Sequence, residues 1–160
     1  MTQIRHILFI GILLASCTPV TTNSHLATSV KVSVSLQKTM CFGTCPTYNF
    51  EVLSDGRATL TVGRFAEDVL GRALAHGNYS GTMDLTLIDH IVIKARDLNY
   101  FSLNEKYDDP MLMDLPATIS TIEEHYVYNR YNGPDLEELY KLIERFIATV
   151  DWQPMPDSAP

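Results

Sequence analysis

Cys41 and Cys45 stand four positions apart in the run Met40-Cys41-Phe42-Gly43-Thr44-Cys45-Pro46. Two sulfurs at that spacing can do three things. As thiolates they clamp a soft metal such as Cu(I); as a dithiol they exchange electrons; oxidised, they staple a loop. No Lys, Arg or His lies inside the loop to lower a thiol pKa, which weighs against redox catalysis unless the fold delivers Arg57 or Arg64. A second cluster, Asp108, Asp109 and Asp114 beside Tyr107, could hold a cation or a basic partner. Carboxylates capping the turns of a solvated loop are the simpler account. Tyr126, Tyr128 and Tyr131 could form an aromatic patch for carbohydrate or protein, but tyrosine is also a favoured strand residue. His76, His90 and His125 are scattered. There is no Gly-x-Ser-x-Gly elbow, His-Glu-x-x-His, phosphate-binding glycine loop or calcium loop. No cofactor and no enzymatic activity are expected, and a hydrolase too divergent to show a motif is the weakest reading.

The compartment decides among the sulfur chemistries, and the N-terminus states the compartment. Arg5 precedes an apolar run from Ile7 to Leu14, too short for a spanning helix of about 20 residues and suited to a secretory signal. Leu14-Ala15-Ser16-Cys17 resembles the lipobox of bacterial lipoproteins, in which the cysteine is acylated and becomes the mature N-terminus. Residues 1–16 are therefore expected to be a signal peptide and Cys17 the lipidation site. Thr18, rather than aspartate, follows Cys17, which by Gram-negative sorting rules implies the outer membrane, facing the periplasm. Residues 17–29 are polar, rich in Ser and Thr, and read as a lipidated flexible tether. Removing the leader takes away Arg5 and no acid, so a net charge of −7 becomes −8. Such a surface argues against nucleic acid and against a polybasic membrane patch. The expected partners are the membrane, through the N-terminal lipid, and another envelope protein; oligomeric state is left open.

With Cys17 committed to lipid, Cys41 and Cys45 remain alone together in an oxidising compartment, and a structural disulfide is the expected outcome. Gly43 lets the chain turn back, and Pro46 ends the turn. The elements around the pair follow from periodicity. Val30, Val32, Val34 and Leu36 alternate with polar residues as a strand with one buried face. Tyr48, Phe50 and Val52 do the same, as do Ala58, Leu60 and Val62. A two-residue turn between these two runs would mix faces, whereas a three-residue loop, Ser54 to Gly56, pairs Val52 with Ala58, Phe50 with Leu60 and Tyr48 with Val62. Tyr79 is expected on a further short strand. Asp84 or Thr86 caps a helix with the stripe Leu87, Ile88, Ile91, Val92, Ala95 and Leu98. After a long connection, 117–122 and 126–131 form a hairpin around Glu123 to His125. Pro134 opens a last helix in its first turn, with the stripe Leu136, Leu139, Tyr140, Ile143, Phe146, Ile147 and Val150. Trp152 then lids the core. The fold class is α+β: a mainly antiparallel sheet in the order β-β-β-β-α-β-β-α, with two helices on one face. One domain spans 30–152, and 153–160 is expected to be a disordered tail.

The string CFGTCPTYNFEVLSDGRATL, the later Tyr107 to Asp114-Leu115-Pro116, and the closing Pro134, Leu136, Leu139 and Trp152 resemble a bacterial family, domain of unknown function 6438. The resemblance covers Val30 to Trp152. It implies an envelope location, often as a lipoprotein, and no established activity or cofactor. Tyr48, Tyr107 and Asp114 are the candidate partner-binding residues. The rival to a non-enzymatic binding or structural module is a copper or thiol-redox protein acting through Cys41 and Cys45. Cys-x-x-x-Cys-Pro is similar, in spacing alone, to the copper site of thioredoxin-fold chaperones. There the second cysteine leads into a helix; here a β-alternating run follows.

Overall fold

The computed structural model describes residues 29–71 and 73–156. The expected signal peptide, Cys17, most of the expected tether and residues 157–160 lie outside them. The strands are β1 (Val32–Lys38), β2 (Tyr48–Leu53), β3 (Arg57–Val62), β4 (Gly77–Thr82), β5 (Lys106–Tyr107), β6 (Thr118–Ile122), β7 (His125–Asn129) and β8 (Gln153–Pro154). The helices are α1 (Glu67–Leu70), α2 (Leu85–Asp97) and α3 (Glu137–Thr149), with a 3-10 turn at Tyr100–Ser102. The strands form one sheet in the order β5-β7-β6-β1-β2-β3-β4-β8, antiparallel except at β5 and β7. The chain is α+β, as its pattern implies.

Period-2 alternation sets which face is covered. Val34, Leu36, Phe50, Val52, Ala58, Leu60, Tyr79, Ile122 and Val127 are buried in one core with the inner faces of α2 and α3. The opposite face carries exposed Gln37, Asn49, Thr59, Thr61, Asn78 and Ser80. The β2–β3 register is Val52↔Ala58, Phe50↔Leu60 and Tyr48↔Val62, as face matching requires. Gly56 sits at φ +87° in the connecting loop. A Cβ there would lie 2.7 Å from the Met83 carbonyl oxygen, so backbone sign and close approach both demand glycine. Asp84 caps α2, its carboxylate accepting from Thr86 N at 2.8 Å. Trp152 closes the core edge-on to Phe50, and its indole N–H donates to Ile147 O at 3.0 Å.

Four expectations need correction. Burial in β1 begins at Val34, because a bulge around Ser33 shifts the strand's phase; Val30 is exposed. The second hairpin turns on two residues, Glu123 and Glu124, both at positive φ, so His125 pairs with Ile122 inside the ladder. Pro134 precedes α3 rather than opening it, and Asp135 instead accepts from Glu137 N at 3.0 Å. The tail does not begin at 153: Gln153 and Pro154 pair with β4, and Met155 N donates to Asn78 O. The two-residue strands β5 and β8 and the single-turn α1 are additions. Elements that short carry no periodicity.

Candidate functional site

β1 begins beside the Ser54–Gly56 and Glu123–Glu124 turns, where Val32 pairs with Leu53 and Lys31 meets Glu124. It ends at Lys38, about 20 Å away at the usual strand rise, and there it feeds the cysteine loop. Cys41 and Cys45 are bonded to each other, with Cα atoms 5.7 Å apart. Gly43 is not left-handed, and a Cβ on it would meet only Cys41 Sγ at 3.7 Å. The bond, rather than glycine's freedom, holds the turn. The loop's exit is fastened by Thr47, which bonds to Arg64 through its backbone N–H and accepts the Arg64 N–H on its hydroxyl.

The long connection 108–117 is seated against this loop. Phe42 N donates to Asp114 Oδ1 at 2.9 Å, Thr39 N to Ala117 O, and Ala117 N to Thr39 Oγ1. Arg130 pins the other end: its Nε lies 2.6 Å from Asp108 Oδ1, and its Nη2 donates to the carbonyls of Asp109 and Leu112. Asp109 caps the turn at Met111 N. The three aspartates thus serve an ion pair, a turn cap and the cysteine loop.

What the two fastened loops present is apolar. Phe42 is 92% exposed, Met113 86%, Met111 83% and Met40 69%, the four most exposed large apolar side chains of the described residues. Scattered surface apolars need no explanation, but a cluster of them marks a contact surface.

Of the candidate partner residues, Asp114 is at this pole. Tyr107 is half-buried; its hydroxyl accepts from Asn104 N, and its carbonyl receives the N–H groups of Arg130 and Tyr131. Tyr48 must be corrected: its side chain is buried, so it cannot meet a macromolecule. Tyr126 and Tyr131 are partly exposed but belong to the β7 side of the sheet, and Tyr128 lies under Lys106. His76 and His90 are exposed, while His125 packs on Tyr100 and Phe101. Arg57 is paired with Asp55 at the far turn, and Arg64 lies over Phe65. Among the described residues no group of three or more His, Cys, Asp or Glu could hold a metal ion.

A second constellation joins Tyr48 to Lys38 and Glu144, which the sequence had not singled out. Tyr48 donates from its hydroxyl to Glu144 Oε1 at 2.7 Å, and Lys38 Nζ stands 3.8 Å from the same oxygen and over the Tyr140 ring. Burial pushes the Glu144 carboxyl above the ordinary glutamate range, against the opposing pull of Tyr48 and Lys38. Burial, reinforced by that carboxylate, pushes the Tyr48 hydroxyl far up. Of the cluster, Lys38 and Glu144 line a cleft of about 470 Å³, together with Gly71, Glu137, Lys141 and Arg145. The missed signal was positional: Glu144 falls on the buried stripe of α3, one residue after Ile143 and four after Tyr140.

The family model described as Domain of unknown function (DUF6438) matches residues 32–147, from the first residue of β1 almost to the end of α3. That span holds both fastened loops and Glu144. No curated protein and no solved structure matches the chain. The chain belongs to the DUF6438 family.

Proposed function

We propose that this family member is a lipid-anchored envelope module that offers Phe42 and its methionine neighbours to an apolar pocket on a second envelope protein. The observation that carries the reading is the concentration of the most exposed apolar side chains on two loops, one closed by a disulfide and one held by Arg130, that Asp114 fastens to each other. A fastened loop gives up little conformational entropy when it docks, and methionines adapt their shape to a partner. The chain's polarity supports a protein over the anchoring membrane. The tether would enter at the start of β1, whereas the apolar pole is at its end. A 12-residue tether spans about 20 Å on average, so the pole faces away from the lipid. The Leu14-to-Cys17 string supports the anchor itself.

A copper or thiol-redox role would require Cys41 and Cys45 reduced. Bonded to each other they offer no thiolate, and this supports the contact module. The test uses the intact protein in cells with a photo-reactive residue at position 42. A protein adduct of one defined mass is expected, and it should vanish when Met113 is replaced by glutamate. Lipid adducts alone, or no adduct, would overturn the reading.

A further inference from the structure

The cleft floored by Glu144 has no part in the contact surface just described. It lies where the end of β1, the end of α1 and the exposed flank of α3 meet. Its volume, about 470 Å³, suits a metabolite-sized molecule. Its floor is costly to build. A carboxyl and an ammonium are drawn largely out of water there, and the carboxyl is held from beneath by the buried Tyr48 hydroxyl. Apolar residues of similar size would hold a core as well or better.

The charges around the opening are unequal in their freedom. Glu144 is occupied by Tyr48 and Lys38, and Glu137 is held by Lys141 at 3.0 Å one helical turn away. Arg145 has no such engagement. Every other Lys and Arg among the described residues is paired with a carboxylate or laid over an aromatic ring. In so acidic a chain, the one unengaged cation of the described residues stands at the mouth of a cleft that also holds two lysines. Opposite it, Gly71 caps α1 with no side chain, and even a Cβ there would meet nothing within 4 Å. That wall stays open.

We propose that this cleft binds a small molecule through an anionic group, carboxylate or tetrahedral oxyanion, with Arg145 as its principal contact and Lys141 and Lys38 beside it. A planar guanidinium fork matches either anion in two-point geometry. Lys141 is already partly neutralised by Glu137, so it adds attraction more than direction.

The test is titration of the purified protein with sulfate and, separately, with succinate, followed by amide chemical shifts and calorimetry at fixed ionic strength. At least one probe should bind saturably, at weak affinity of about 1 mM, with shifts at residues lining the cleft. Which probe binds tells the oxyanion source from the carboxylate source. Arg145→Gln, at an exposed position, should weaken binding about tenfold, the loss expected of one charge-assisted hydrogen bond. Arg57→Gln removes the same charge far from the cleft and should leave affinity unchanged. Absence of saturable binding by both probes overturns the proposal. So does equal loss in the two arginine variants, which would mean nonspecific charge attraction.

Discussion

Replacing Tyr48 with phenylalanine isolates the buried polar cluster without changing the shape of the core. The variant deletes one hydroxyl that donates to Glu144 at 2.7 Å in a buried setting, leaving Lys38 at 3.8 Å as the carboxylate's remaining neighbour. A hydrogen bond to a charged group contributes about 1.5–3 kcal/mol, and the stranded carboxylate sets the cost within that range. For a domain of this size the melting temperature should fall by roughly 5–15 °C. Urea unfolding of Tyr48→Phe, Glu144→Leu and the double variant completes the cycle. The double variant should be no less stable than Tyr48→Phe alone, because it strands no carboxylate and leaves only Lys38, whose side chain still reaches solvent, without its partner.

The pH dependence has a definite sign. Burial raises the folded carboxyl of Glu144 above its unfolded value near 4.5, so the folded state holds a proton that the unfolded state has released. Its contribution to stability is full below the unfolded value and is lost as pH rises through the folded one. Deleting the Tyr48 hydroxyl removes a group that lowers that pKa, so the Tyr48→Phe penalty should grow from acid toward neutral pH. A penalty below about 0.5 kcal/mol, or one unchanged across that range, would refute the assigned pairing.

Three further outcomes follow. Reducing the Cys41–Cys45 bond, or replacing both residues with serine, should leave a soluble, cooperatively unfolding domain that loses less than the roughly 3 kcal/mol expected for a 15-residue loop; thermal melts with and without reductant check this. Gly56→Ala should cost about 1–3 kcal/mol, since a Cβ at positive φ is strained and here also collides with the Met83 carbonyl; urea midpoints measure it. Cys17→Ser should block acyl labelling and leave a larger precursor on a gel, and a variant that matures to wild-type size would deny the lipid anchor.

How much could be read in advance depended on whether a residue's role is written in its neighbours. Phe50, Val52, Leu60 and Val62 alternate cleanly, so face matching alone determined the β2–β3 register and the left-handed Gly56. The α2 and α3 stripes were legible for the same reason. The bulge around Ser33 was not, because the apolar-polar alternation runs unbroken from Val30 to Leu36 and gives no sign of it. Glu123 and Glu124 turn the second hairpin at positive φ without the Asn-Gly pattern that announces such turns. At the candidate site the disulfide was legible from the cysteine number and the compartment the N-terminus led one to expect. The seating of Asp114 against Phe42 was not, since the two are 72 residues apart and nothing local predicts their meeting. Glu144 hid in plain view as a charged residue on an apolar stripe, a position that implies a buried partner whose identity only the fold supplies.

The central claim is that one pole of the molecule meets a protein, and a crosslinking scan tests it most directly. A photo-reactive residue is placed in turn at positions 40, 42, 111 and 113, and at 57, 126 and 145 as surface references, in the intact protein in cells. The account predicts a protein adduct of one common mass from the first four positions and none from the last three. Adducts from the reference positions with silence at the pole would contradict it.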